Sequence, residues 1–237
     1  MLRKVWCFIW KALLYFLVFT IALVIVFRFV PVPFTFLMLQ RCVEQKMDGK
    51  EMRLDKDWTS IAKISNHLQL AVVASEDQNF LFHYGFDLDA IGKAVKHNEK
   101  QQKRKHPRIH GASTISQQCA KNVFLWQGRN FIRKGLEVYF TGLIELLWSK
   151  ERIMEVYLNV IEMGDGIYGA EAASEYYFHR PAAELNSAQA ALLAVCLPNP
   201  RKFNPAHPSG YVLKRQIFIL TQMNQLGGQL DYKQKEE

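Results

Sequence analysis

No acidic side chain occurs in the first 30 residues of this 237-residue chain, and no Cys-x-x-Cys pair or internal repeat occurs anywhere in it. The 13 glycines and 8 prolines fall well short of a collagen-like or low-complexity composition. Cys7, Cys42, Cys119 and Cys196 lack both the density of a disulfide framework and the spacing of a zinc site, and His83, His97, His106 and His110 add no metal signature. Cys119 and Cys196 read as small core residues on helices. Apolar–polar alternation is also missing over any useful length, which leaves little room for sheet. What is present is 49% hydrophobic and 22% charged residues, enough for one sizeable folded domain.

The net charge of +8 is unevenly spread, since Arg3, Lys4, Lys11 and Arg28 put half of it into the first 30 residues. A positive balance favours anionic partners such as nucleic acid, lipid headgroups or pyrophosphate without choosing among them. Residues 12–27, ALLYFLVFTIALVIVF, carry no charge, and their apolar flanks extend the run past about 20 residues, enough for a bilayer span. Lys11 and Arg28 fit its ends as snorkelling side chains. No small-residue cleavage site follows, so an uncleaved anchor is expected rather than a signal peptide. Arg3, Lys4 and Lys11 hold the N-terminus in the cytoplasm by the positive-inside rule, although Arg28 and Arg41 beyond the span weaken the asymmetry. The expected organisation is a cytoplasmic N-terminus (1–11), a transmembrane anchor (12–30), a membrane-proximal segment (31–60) and a folded domain (61–237). Residues 34–39, FTFLML, are too short to span and too apolar for a free linker, which places them in the interface. Nucleic-acid binding is disfavoured because the domain falls on the far side of the membrane.

The remainder reads as helices with short breaks. Ile64, Leu68, Ala71, Val72 and Ser75 recur at helical spacing and run into Glu76 and Asp77. Asp87 caps a helix carrying Leu88, Ile91 and Val95. Thr114 with Gln117, and Asn186 with Gln189, have the capping-box pattern. Ile132, Leu136, Tyr139, Phe140, Leu143 and Leu147 mark a long helix, and Ile153, Met154, Tyr157, Leu158 and Ile161 mark another. Gly164 and Gly166 break the chain before a helix over residues 170–178, and the last helix read stops at Pro198. The architecture expected is mainly α with one main lobe.

Several polar residues stand out against this pattern. Residues 111–118, GASTISQQ, put hydroxyls and paired amides at a helix start, where free N–H groups and the dipole favour an anion; Lys121 follows one turn later. Arg129, Arg133 and Lys134 cluster before Glu137, a pattern that an exposed ion-pair ladder would also give. Glu76 and Asp77 end an apolar helix and precede Phe80, Phe82 and His83, so partial desolvation would raise the pKa of a carboxylate placed there towards that of a useful base. Residues 100–108, KQQKRKHPR, lack apolar periodicity and read as a basic surface loop, either a solvated connector or one suited to an anionic membrane.

Together these segments resemble the peptidoglycan glycosyltransferases that polymerise lipid II. The resemblance runs through EDQNFLFHYG (76–85), GASTISQQCAKN (111–122), RKGLE (133–137), KERIMEVYLN (150–159), GIYGAE (166–171) and the AALL to Pro198 stretch (190–198), covering roughly residues 65–205. Ala112 and Ser116 depart from the family's usual Gly and Thr, and neither change removes a reacting group. Ser60 and Lys63 spell S-x-x-K, but no S-D-N or K-T-G follows, so no penicillin-binding transpeptidase domain is expected. With the chain ending soon after these motifs, the resemblance is to the monofunctional, membrane-anchored form of the family.

The resemblance implies a lysozyme-like, mainly helical glycosyltransferase domain with a smaller hydrophobic lobe beside the bacterial inner membrane and the catalytic domain in the periplasm. It also implies Glu76 as the base that deprotonates the acceptor hydroxyl. Lys121, Arg129 and Arg133 would stabilise the departing pyrophosphate, and Glu137 would orient them or hold a divalent ion. Ser113, Thr114, Gln117, Gln118 and Asn122 would line the cleft. No obligatory cofactor is implied, with a divalent cation such as Mg²⁺ or Mn²⁺ the one candidate. The implied partners are lipid II, the nascent glycan strand and membrane lipids, with division or elongation proteins as further candidates. A lytic enzyme of the same architecture would need no pyrophosphate site. A non-catalytic membrane scaffold would need neither both carboxylates nor the basic cluster.

Overall fold

The computed structural model describes residues 2–102, 111–128 and 130–232. Among them the chain forms ten α-helices and one small sheet. The acid-free apolar run becomes α1 (Leu2–Phe29), long and apolar enough to cross a membrane. It is followed by α2 (Phe36–Met47), β1 (Asp55–Lys56), α3 (Asn66–Glu76), α4 (Leu88–Gln102), α5 (Ile115–Phe124), α6 (Phe131–Leu147) and α7 (Lys150–Val160). The chain closes with β2 (Glu162–Gly164), β3 (Ile167–Tyr168), α8 (Ala170–Phe178), α9 (Ser187–Cys196) and α10 (Gly210–Gln225). The mainly α architecture expected from sequence is what forms.

Two helix groups share the core. Residues 68–74 of α3 are buried on every side, which fits a helix apolar all round except for Gln69, and α9 and α10 pack against it. Gln69 is satisfied there: its amide donates to the Ile61 and Ile64 carbonyls and its oxygen accepts from the Tyr232 hydroxyl. In the second group α5 packs between α6 and α7. Cys119 and Cys196 lie in the core, and burial pushes the Cys196 thiol up to about 12, so neither is a reactive thiolate at neutral pH.

The capping boxes at Thr114/Gln117 and Asn186/Gln189 both form, and Asp87 accepts from the Ala90 N–H at 2.8 Å. Gly164 and Gly166 flank the tight turn between β2 and β3, and β1 joins the other edge of β3 in parallel. Strands of two or three residues are too short to show a period of two, so this sheet is invisible to pattern reading. Residues 34–39 are not wholly interfacial. Phe36 to Leu39 form the first turn of α2, with Leu37 and Met38 in the core and Phe34, Phe36 and Leu39 exposed. Nor does the basic tail begin at Lys100, because α4 continues to Gln102. Lys103, Arg104 and Lys105 lie outside the described residues.

The second half of α1 is docked onto the domain. The Thr20 and Tyr139 hydroxyls are 2.8 Å apart, and the Trp148 indole N–H donates to the Val24 carbonyl at 2.8 Å. Arg152 donates to the carbonyls of Phe27 at 2.8 Å and Val30 at 2.7 Å, satisfying acceptors that a helix C-terminus leaves open. Phe27, Phe124, Tyr139, Phe140 and Trp148 pack as an aromatic cluster joining α1, α5 and α6.

Candidate active site

The C-terminal end of α3 and the N-terminal end of α5 meet at one cleft, where the Asp77 carboxylate ties the two helices together. Asp77 is buried, accepts from the Ile115 backbone N–H at 3.0 Å, and bonds His83 Nε2 at 2.9 Å. It therefore serves the free N–H groups at the start of α5, where the helix dipole favours negative charge. The Thr114 hydroxyl donates to the Gly85 carbonyl at 2.6 Å, closing the other side of the same turn. Gly85 has φ +81°, and a Cβ there would come within 2.7 Å of Thr141, so this position requires glycine.

The cleft so formed has a volume of about 460 Å³ and is lined by Glu76, Asp77, Ser113 and Thr114 on one side and by Ala90, Lys93 and His97 of α4 on the other. Glu76 is half-buried on its wall. Burial raises its pKa, against the opposing effect of hydrogen bonds from Gln118 at 2.8 Å and Ser75 at 3.4 Å. The desolvated carboxylate expected from sequence is present.

The basic cluster lies on α5 and α6. Arg133 donates to Glu137 Oε2 at 2.8 Å and Lys134 to Oε1 at 2.6 Å, and Glu137 is only 4% exposed. This is a buried anchor with a cation on each oxygen, not the exposed ladder that sequence alone also allowed. Glu137 thus pairs with both cations at once. Both of its oxygens are engaged, and no group of three or more His, Cys, Asp or Glu side chains suited to a metal occurs among the described residues. These residues do not fit a protein-held divalent ion.

Lys121 is half-buried, and burial lowers its pKa while Glu137 and Glu76 act to raise it, which puts the ammonium in the field of both carboxylates. It forms no ion pair among the described residues, and Arg133 Nε and Asn122 Nδ2 are buried donors without a partner. Arg129 lies outside the described residues. Of the other residues expected to line the cleft, Ser113 and Thr114 do so. Gln117 is buried in the α5 capping box and Asn122 is 2% exposed, so both act within the wall. Gln118 bonds Glu76 directly.

Residues 44–224 match the family described as Transglycosylase. The chain belongs to the transglycosylase family. A biosynthetic peptidoglycan transglycosylase of Pseudomonas syringae pv. syringae (strain B728a) is 51% identical over 228 residues, covering 96% of this chain and 94% of that one. Proteins of the same description from Pseudomonas syringae pv. tomato (strain ATCC BAA-871 / DC3000) and Bacteroides thetaiotaomicron are 53% and 54% identical, covering 92% and 94% of this chain. They cover 90% and 88% of those relatives.

Around the candidate cleft of this transglycosylase-family chain stands a second buried ion pair that the sequence does not announce. Lys150 donates to Glu145 at 2.6 Å, Ser116 donates to the same carboxylate, and the Lys150 ammonium stands 4.6 Å from the centre of the Phe80 ring. Lys150 was visible only as part of a motif and Glu145 not at all, because their partnership joins α5, α6 and α7 in space. Tyr157 belongs to the apolar stripe of α7, yet its hydroxyl reaches Gln118.

Proposed function

We propose that this chain polymerises lipid II into β-1,4-linked glycan strands, with inversion at the anomeric carbon and release of undecaprenyl pyrophosphate. The observation that carries the reading is Glu76, a half-buried carboxylate on the wall of the cleft, with Lys121 in its field and the Arg133–Glu137–Lys134 anchor on the adjoining helix. The shared description of the relatives supports it.

In this reading the acceptor is the GlcNAc 4-hydroxyl of lipid II, and the donor is the growing glycan carried on an α-linked undecaprenyl pyrophosphate. Glu76 removes the hydroxyl proton as the oxygen attacks the anomeric carbon from the face opposite the pyrophosphate. The new C–O bond forms while the bond to pyrophosphate breaks, and the leaving group departs with the electron pair. Lys121 and Arg133 stabilise the charge gathering on it, with Glu137 holding Arg133 in place, and Arg129 is assigned the same task on resemblance. The Arg133 guanidinium, only partly taken up by Glu137, keeps a donor without a partner among the described residues, the kind of group that an anionic oxygen would satisfy. A lytic enzyme has no use for this concentration of cations.

The same reading takes α1 as a single-pass anchor in the bacterial inner membrane, with the N-terminus cytoplasmic and the domain periplasmic. The division of the chain into 1–11, 12–30, 31–60 and 61–237 goes with it. Detergent-solubilised protein incubated with labelled lipid II should yield polymer that a muramidase digests. Glu76→Gln should reduce the rate by about 100-fold or more, the usual scale for lost acid–base catalysis, while lipid II still binds. Near-normal turnover in that variant would remove Glu76 from the role of base.

A further inference from the structure

The Glu76 carboxylate does not stand alone in the cleft wall. Its Oε2 accepts from the Gln118 side-chain amide at 2.8 Å, and the oxygen of that amide accepts from the Tyr157 hydroxyl at 3.3 Å. Tyr157 is completely buried on α7, behind α5 and away from the cleft. The orientation of the Gln118 amide follows from chemistry. An ionised carboxylate can only accept, so the NH₂ end must face Glu76, which leaves the carbonyl end for a donor. Tyr157 is that donor, and burial raises its pKa well above the ordinary value, so the phenol keeps its proton throughout the working range. Glu76 Oε1, by contrast, receives only a long contact of 3.4 Å from the Ser75 hydroxyl.

We infer that Gln118 and Tyr157 are positioning residues that occupy Oε2 of Glu76 and leave Oε1 to take the proton from the acceptor hydroxyl. The inference rests on the reading of Glu76 as the base, and it moves Gln118 from lining the substrate cleft to acting through Glu76. Two consequences follow for the carboxylate. It is held in one rotamer by a neighbour that is itself held, since an amide fixed at both ends cannot turn over. Its ionised form is also favoured against burial by a charge-assisted hydrogen bond. The other charged or titratable groups acting on Glu76 are Asp77 next to it, Lys121 on α5, Arg215 on α10 and Tyr157 itself on α7. Asp77 raises the Glu76 pKa and Arg215 lowers it, and neither is altered by changes at Gln118.

The test is the pH dependence of lipid II polymerisation by the full-length protein in detergent, for Gln118→Met, Tyr157→Phe, the double variant and Glu76→Gln. Loss of the amide bond disfavours ionised Glu76. The acid limb of kcat/KM should therefore move to higher pH by about one unit in Gln118→Met, and by less in Tyr157→Phe, where the amide remains but is free to turn. KM should stay within about two-fold and kcat at pH 7 should fall several-fold in Gln118→Met. Because the two residues act in series, the double variant should be no worse than Gln118→Met. Tyr157→Phe removes one buried oxygen and is the variant that keeps the test readable should Gln118→Met fail to fold.

An acid limb that stays at the parent pH in the folded variants overturns the inference, as does a rise in KM at constant kcat, which would make Gln118 a substrate contact. Additive losses in the double variant would mean that Tyr157 supports the core independently. Near-normal turnover in Glu76→Gln would instead remove the base itself, an outcome readable separately from the other three.

Discussion

Glu76 carries a tension that can be measured apart from activity. Burial raises its pKa in the folded chain above that of the unfolded one, so the folded state holds the proton more tightly. The favourable contribution of the protonated form is present below the unfolded pKa and is lost as pH rises through the folded one. Above both values the ionised carboxylate is a net cost, and Glu76→Gln removes that cost while keeping an acceptor for Gln118. The expected outcome is a variant inactive in polymerisation whose Tm is raised at pH 7.5, on the order of 2–4 °C for each kcal/mol recovered. The difference from the parent should shrink towards pH 4. Thermal unfolding of both proteins across that range is the measurement, and a lower Tm for the variant at pH 7.5 would contradict it. At this scale the sequence was legible wherever a residue's own chemistry announced it. Glu76, Lys121, Arg133 and Glu137 stood out as charges beside apolar stripes. Asp77 stood out beside Glu76, but its role as the acceptor for Ile115 did not; like the roles of Ser116, Glu145 and Tyr157, it comes from a partner on another element, as Tyr157's does from Gln118.

Among the elements, those read correctly had a start signal and an apolar stripe pointing the same way. Helix α5 has Thr114 and Gln117 in front of Ile115, Cys119 and Val123, and α9 has Asn186 and Gln189. Helix α10 went unread because only Val212, Ile219 and Met223 of its 16 residues are buried, a stripe too thin to stand out beside exposed Tyr211, Leu213, Ile217 and Phe218. The start of α5 carries the element-scale prediction. Asp77→Ala leaves the Ile115 N–H without its acceptor and strips His83 Nε2 of a carboxylate in a buried place. The expected loss is about 1–3 kcal/mol. In a domain of this size that corresponds to a fall in Tm of roughly 2–12 °C. Activity should fall with it, because the same turn sets the spacing between Glu76 and Gln118. Asp77→Asn, which keeps an acceptor for Ile115, should recover part of both losses. An unchanged Tm in Asp77→Ala would show that α5 is held by its packing on α6 and α7 alone.

For the whole molecule, the contacts of α1 change what removal of the anchor should do. From sequence, deleting residues 1–30 takes away membrane confinement and leaves the cleft untouched. The structure adds that the deletion strands the Trp148 indole, takes from Arg152 its carbonyl acceptors while leaving its pair with Glu155, and uncovers Tyr139 and Phe124. Truncated protein is therefore expected to fold with a lower Tm than the full chain, and to self-associate unless detergent covers α6. Its polymerisation should survive in micelles and fall sharply on intact vesicles. Size-exclusion chromatography with and without detergent, beside the two activity assays, checks each part. A monodisperse truncated protein of unchanged Tm in plain buffer would mean that the α1 contacts contribute nothing to the fold.

A span tied to its domain by one flexible joint could spin like a mooring line, and the cleft above it would face every compass direction in turn. Here α1 is gripped at Thr20, at Val24 and at its end by Arg152, over a length of about 14 Å at the helical rise per residue. Helix and domain then turn as one body, as a hull turns with its keel. With α1 as the proposed membrane anchor, the cleft would be held at one height above the lipid and at one bearing relative to the side of α1 that faces away from α6. Lipid or protein lying against that outer side of the keel would then meet the cleft at a fixed bearing.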